Sequence, residues 1–144
     1  MARSTGFNCV ISIDGSDLSG KSNEVTLSFS SPDIEEVGGF AEAWEVLAGG
    51  KITTWSLSIN GVYDGTAAEI DSILFAWLGD GIQTLDHLRP QGTVSGASQF
   101  AAADVANLIG VILESYEVPI PRTGAVKWSA NFRGSGEVTR SQQT

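Results

Sequence analysis

Between Thr54 and Asn60 the chain alternates strictly, with Trp55, Leu57 and Ile59 apolar and Thr54, Ser56, Ser58 and Asn60 polar. A period of two is the geometry of a strand with one buried face and one wet face. The wet face carries no charge. Such a strand needs a second layer against its apolar side, and much of the remaining sequence repeats the same pattern. Phe7, Cys9, Ile11 and Ile13 alternate before the turn Asp14-Gly15-Ser16-Asp17. Val25, Leu27 and Phe29 then alternate with Glu24, Thr26 and Ser28 up to Ser31-Pro32-Asp33. The spacing predicts two strands joined by a loop of hairpin length. Near the far end, an apolar run from Leu108 to Val118 contains Glu114 and Glu117. It is followed by Val126, Trp128, Ala130 and Phe132 alternating with Lys127, Ser129, Asn131 and Arg133. These read as a hairpin, or as two strands joined through Pro119 and Pro121.

One segment has the other period. Ile70, Ile73, Leu74, Trp77 and Leu78 fall on one face of a helix, Thr66 and Glu69 have the spacing of a capping box before it, and Gly79 follows it. Between 80 and 104, Asp80-Gly81 and Pro90-Gln91-Gly92 mark turns around a short strand near 82 to 88, and 100 to 105 fits either strand or helix. The polar stretch from Gly134 to Thr144 reads as an arm or a frayed end. At 144 residues the whole is one mainly β domain with one helix.

Residues 33 to 50 stand apart. They carry Asp33, Glu35, Glu36, Glu42 and Glu45 with no basic residue, and Phe40, Ala43, Trp44 and Leu47 have helical spacing before Gly49. This long acidic insertion is either a lid on the protein's own core or a partner-binding surface. The formal charge is −9, from 8 basic and 17 acidic residues, which disfavours attraction of nucleic-acid phosphates. It is unevenly spread: Arg122, Lys127, Arg133 and Arg140 face only Glu137 after residue 121. The gradient fits chance, or head-to-tail contact between identical subunits.

Catalytic chemistry has little to stand on. The single histidine, His87, has no Gly-x-Ser-x-Gly serine to activate, and one Cys with one His cannot make a zinc site. Residues 14 to 17 lack the later ligands of a calcium loop, and Gly49-Gly50-Lys51 lacks phosphate-loop spacing. Cys9 reads as buried filler. Neither an enzyme, a cofactor nor a metal is expected, and the opening residues and apolar runs point to neither a signal peptide nor a membrane span.

Three stretches carry a resemblance: Asp17 to Val25, Leu57 to Asp64, and Tyr116 to Pro119 continuing through Trp128 to Arg140. In them the chain resembles the tail tube, or major tail, proteins of long-tailed bacteriophages. The resemblance implies a β-sandwich or partial barrel with one flanking α-helix, assembling as hexameric rings that stack into a hollow tube through which DNA passes without sequence-specific binding. It implies a single domain over 1–144 with an N-terminal arm (1–6), an extended loop (33–50) and a C-terminal arm (134–144). Expected partners are further copies of the chain and the tape-measure, tail-terminator and distal tail or baseplate proteins, in the virion. Glu35, Glu36, Phe40, Trp44, Leu47, Arg122, Arg133 and Arg140 are the expected inter-ring contacts, and Glu24, Thr54, Ser56, Ser58 and Glu114 the expected lumen-facing residues. The alternatives are an inner-tube protein of a contractile injection or type VI secretion machine, and a β-sandwich carbohydrate-binding module using Trp44, Trp55 or Trp128 as a sugar platform.

If the 33 to 50 loop docks on a neighbouring ring, Trp44→Ala abolishes or greatly slows tube growth without unfolding the monomer, since losing a central anchor costs about 2 kcal/mol or more. Parallel thermal melts and assembly assays check this, and a variant that simply unfolds makes the loop a lid.

Overall fold

The computed structural model describes residues 9–31, 35–36, 47–48, 54–66, 69–92 and 94–142. In chain order they form β1 (Val10–Ile13), β2 (Ser16–Asp17), β3 (Glu24–Ser30), β4 (Glu35–Glu36), β5 (Leu47–Ala48) and β6 (Thr54–Val62). The helix α1 (Ile70–Trp77) follows, then β7 (Ile82–Gln83), β8 (Leu85–Arg89), β9 (Ser98–Ala102), β10 (Gly110–Glu117), β11 (Lys127–Ser135) and β12 (Thr139–Gln142). A first five-stranded sheet has the order β12-β9-β8-β1-β2, a second the order β3-β6-β11-β10-β7, and β4 and β5 form a separate two-stranded ribbon. Every pairing is antiparallel.

The two strands expected as one hairpin lie in different sheets. Asp14 and Gly15 both have positive φ, 48° and 78°, the backbone of a two-residue turn that matches strand twist. β1 therefore folds straight back onto β2. A 3-10 turn at Ser19–Lys21 then carries the chain across, with Leu18 fully buried beneath it, so that β3 pairs with β6 instead. The β10–β11 hairpin forms as read, with Leu113 opposite Phe132 and Glu117 opposite Ser129.

The core lies between the sheets. β6 supplies Trp55, Leu57 and Ile59, β11 supplies Trp128, Ala130 and Phe132, and the facing sheet supplies Ile11, Ile13, Leu85 and Leu88, all buried. α1 seals one side: Ile70, Leu74 and Trp77 are buried, and the Trp77 ring meets Phe132 edge-on at 6.2 Å. The helix begins later than the capping-box spacing implied. Its N-cap is Glu69, without a side-chain cap bond, because Asp64 Oδ1 accepts the Thr66 N–H (2.9 Å) and folds that residue into a preceding turn. Glu69 is left to pair with Lys21 at 3.3 Å. Leu78, expected on the buried face, is the C-cap and is 39% exposed.

The polar tail is also not frayed where it is described. Gly134 and Ser135 complete β11, and β12 pairs with β9, Arg140 opposite Phe100. Gly134 is there for space: a Cβ would stand 2.1 Å from two atoms of the Trp55 indole. The ring lies across the glycine and donates Nε1–H to the Gly136 carbonyl at 2.8 Å. In the 33 to 50 insertion, Glu36 pairs with Leu47 and Glu35 with Ala48. Leu47 is thus in a strand rather than on the expected helical turn; Phe40 and Trp44 lie outside the described residues, as do Phe7, the expected arm at 1–6 and residues 143–144 of the expected C-terminal arm.

Leu57 is fully buried, paired to Leu27 on one side and Phe132 on the other. Leu57→Ala is expected to cost about 2–5 kcal/mol by cavity formation, against less than about 0.5 kcal/mol for Ser56→Ala on the wet face, as read by urea denaturation.

Candidate assembly surface

The outer face of the second sheet collects the small polar residues of four strands into cross-strand rows. Ser28, Ser56 and Arg133 are in register; so are Thr26, Ser58 and Asn131, and Glu24, Asn60 and Ser129. The middle row is hydrogen-bonded across strands: Ser58 Oγ donates to Asn131 Oδ1 at 2.8 Å, and Asn131 Nδ2 donates to Ser115 Oγ at 3.0 Å. At the end of the face the Ser30 and Thr54 hydroxyls bond to each other. The register of β10 shifts between Leu113 and Ser115, where Glu114 sits as the extra residue of a bulge, exposed. All five expected lumen residues, Glu24, Thr54, Ser56, Ser58 and Glu114, therefore share one exposed face. Glu114, Arg133, Ser56 and Thr54 line one shallow depression on it.

The same does not hold for the expected inter-ring set. Arg133 belongs to this face. Arg140 is on the edge strand of the first sheet, beside Ser98 (3.3 Å from Nη2 to Oγ), and Arg122 is in the loop between β10 and β11. Glu35, Glu36 and Leu47 are described by backbone alone, in the β4–β5 ribbon. The basic residues of the C-terminal third are thus spread over different parts of one copy.

Both long edges of the second sheet are open. Among the described residues β3 pairs only with β6, and β7 covers only Val111 and Ile112 of β10, so Leu113–Glu117 pair with β11 alone. Three successive antiparallel pairings make β3 and β10 run in opposite directions. A second copy placed side by side would thus bring its β10 antiparallel to this β3 and continue the alternation. Neither edge carries proline or lysine, two of the usual protections against strand addition, and the Glu114 bulge is the one irregularity of β10.

On the inner side of β10, Tyr116 donates its hydroxyl to Asp71 of α1 at 2.8 Å. Burial, and secondarily this bond, push the Tyr116 phenol well above its usual range. The tie and the Ser58–Asn131–Ser115 ladder were not foreseen, because each depends on register rather than residue type. His87 is half-buried on β8, its pKa lowered first by burial and then by Arg89, with Asp86 and Asp17 opposing. Cys9 is half-buried, and burial raises its thiol pKa. The turn at 14 to 17 is bound by Asp86, which accepts from the Gly15 N–H at 2.7 Å. Among the described residues no cluster of three His, Cys, Asp or Glu side chains stands close enough to hold a metal, and no helix is long and apolar enough to cross a membrane. Trp55 and Trp128 are core residues, 6% and 1% exposed, which removes two of the three tryptophans of the sugar-platform reading.

The architecture is a two-sheet antiparallel sandwich with one flanking helix, and it has counterparts among phage-like particles. A chain in the virion of a native gene transfer agent particle superposes with a TM-score of 0.69 at 14% identity, over 96% of this chain and 99% of that one. A chain in the tail of an empty gene transfer agent particle, refined helically with C6 symmetry, gives 0.63 at 16% identity, over 97% and 99%. The fold of this chain is the fold of those components. No family model and no curated protein matches the sequence.

The raised pKa of Tyr116 carries a stability consequence. Its folded value lies above the unfolded one, first through burial and then through the Asp71 bond, so the packing of the neutral phenol contributes stability fully present below about pH 10, the unfolded phenol value, and lost as pH rises through the folded value. Tyr116→Phe is expected to remove this alkaline component of the pH–stability curve, measured by urea denaturation from neutral to strongly alkaline pH.

Proposed function

We propose that this chain is a structural subunit of a phage-type tail tube, in which copies join through the edges of the second sheet into a six-membered ring and rings stack into a hollow conduit for DNA. The observation that carries this reading is the pair of open, oppositely directed edges on a sheet whose outer face is mostly small, polar or charged, with Val62 and Ile112 as its exposed apolar residues. Joining β10 of one copy to β3 of the next satisfies the unpaired N–H and C=O groups of both strands. Repeated around a rotation axis, the contact is heterologous and closes. The C6 symmetry of the tail containing the similar chain supports six as the number of copies.

In that ring the core-facing side of the second sheet points outward to the rest of the subunit and the polar face lines the channel. Each copy would present Glu24, Glu114 and Glu117 against Lys127 and Arg133 there. The excess is acidic, and Arg133 shares its depression with Glu114. A wall mainly of serine, threonine and asparagine, with Val62 and Ile112 among them and bases set beside acids, offers DNA phosphates no continuous basic track. Passage without adsorption follows. The tape-measure, terminator and baseplate proteins are the partners this role requires at the inside and ends of the tube, and the virion tail is where it operates.

Negative-stain electron microscopy and sedimentation velocity of the purified protein are expected to show six-fold rings or tubes at high protein concentration, with tube growth restored by preformed seeds where nucleation limits it. Monomer alone, across salt and with seeds, would overturn the reading.

A further inference from the structure

The sandwich is sealed on one side and open on the other. α1 closes the β10 side, where Asp71 is tied to Tyr116 and Trp77 reaches Phe132. At the β3 side the sheets part into a groove of about 1020 Å³ whose apolar lining includes Ile11, Val25, Leu27, Phe29, Leu88 and Phe100. Phe29 is 41% exposed there, although its ring lies 6.0 Å from that of Phe100 across the gap. The helix has the complementary peculiarity. Its solvent face, Ser72, Phe75 and Ala76, carries no charge, and Phe75 is 70% exposed. A helix meant for water normally carries charged and polar residues on that face.

We propose that the exposed face of α1 of one copy docks into the β3-side groove of the next copy in the ring, with Phe75 as the buried anchor. The inference rests on the edge-to-edge ring described above. Val25, Leu27 and Phe29 are on the core-facing side of β3, opposite Ile59, Leu57 and Trp55, and α1 packs on the core-facing side of β10. When β10 of one copy pairs with β3 of its neighbour, helix and groove are therefore on the same side of the joined sheet and adjacent. The backbone pairing alone fixes neither spacing nor partner. An aromatic plug in an apolar groove supplies the anchoring energy that a polar strand pairing lacks, and it completes in the ring a core that one copy leaves open.

The single cysteine provides the test, because Cys9 lines the groove. Ala76→Cys puts a thiol beside Phe75 without removing the anchor. In assembled protein, a short bis-maleimide is expected to join the introduced thiol on α1 of one copy to Cys9 of the next and give a denaturing-gel ladder from dimer upward. The parent, with Cys9 alone, and the Ala76→Cys/Cys9→Ser variant can give at most dimers. In a separate variant, Phe75→Asp is expected to raise the protein concentration needed for assembly about tenfold or more with the monomer melt unchanged. Rings that form normally, yet give no species above dimer with Ala76→Cys and tolerate Phe75→Asp, would overturn the docking and leave the tube reading intact; the groove would then be filled by the copy's own chain. Failure of the parent to form any ring defeats both.

Discussion

The separation of the second sheet into a dry face and a wet face governs everything else in the molecule. β6 lies between β3 and β11, and its register places Leu57 between Leu27 and Phe132, and Ser58 between Thr26 and Asn131. A slip of one residue in either pairing would carry Trp55, Leu57 and Ile59 into solvent and bury a row of hydroxyls. Burying a hydroxyl without a partner costs about 1–3 kcal/mol on mutational scales, so the register has no close competitor. The bulge at Glu114 shows the same rule at the one place where the alternation breaks. Leu113 and Tyr116 both face the core, and the extra residue between them lets an acid point outward without dragging β10 out of register.

The tryptophans then lock the sheet into the sandwich. Trp55 lies over Gly134, where a Cβ would come within 2.1 Å of the ring, and its Nε1–H is satisfied by the Gly136 carbonyl. Trp128 is the counterpart at the other end: at Gly61 a Cβ would stand 2.2 Å from the Lys21 carbonyl oxygen and 2.8 Å from Trp128 Nε1. Its N–H has no partner among the described residues. Both glycines are thus inside strands, Gly134 admitting a large ring and Gly61 the close approach of the Lys21 carbonyl as well as the Trp128 ring. β6 accordingly runs through Gly61 to Val62.

What the sequence made legible is what local pattern determines. The dry face of β6, the alternation of β11, the helix around Leu74 and the turn at Asp14-Gly15 could all be read from period and turn chemistry. So could the common face of Glu24, Thr54, Ser56, Ser58 and Glu114, because strand parity assigns each residue a side. Partnership between distant strands was not legible. β1 and β3 look like a hairpin in one dimension, and only the tight two-residue turn onto β2, followed by the crossing at Ser19–Lys21, separates them. Nor does the sequence show where Arg122, Arg133 and Arg140 sit: the three positions fall on a loop, an outer sheet face and the edge of the other sheet. The polar tail was misread because edge strands such as β12 are naturally rich in polar residues, and nothing in Thr139-Arg140-Ser141-Gln142 announces its pairing with β9.

A sheet with two complementary open edges is an aggregation hazard unless pairing is controlled, and here the control is electrostatic. On the ring reading, the β3 edge carries Glu24 and the β10 edge carries Glu114 and Glu117, so side-by-side approach brings acids toward acids on molecules that each bear a net charge of −9. Like charges in water repel weakly and are screened over about 10 Å at 0.1 M salt. They therefore slow random encounter without forbidding a well-registered contact. Lys127 and Arg133, on the strand between β6 and β10, offset part of this acidity within each copy. On the ring reading, strand hydrogen bonds align the contact, the apolar plug at Phe75 anchors it, and the acids delay it. A subunit built this way would, on that reading, stay dispersed at low concentration and join through one face in one direction.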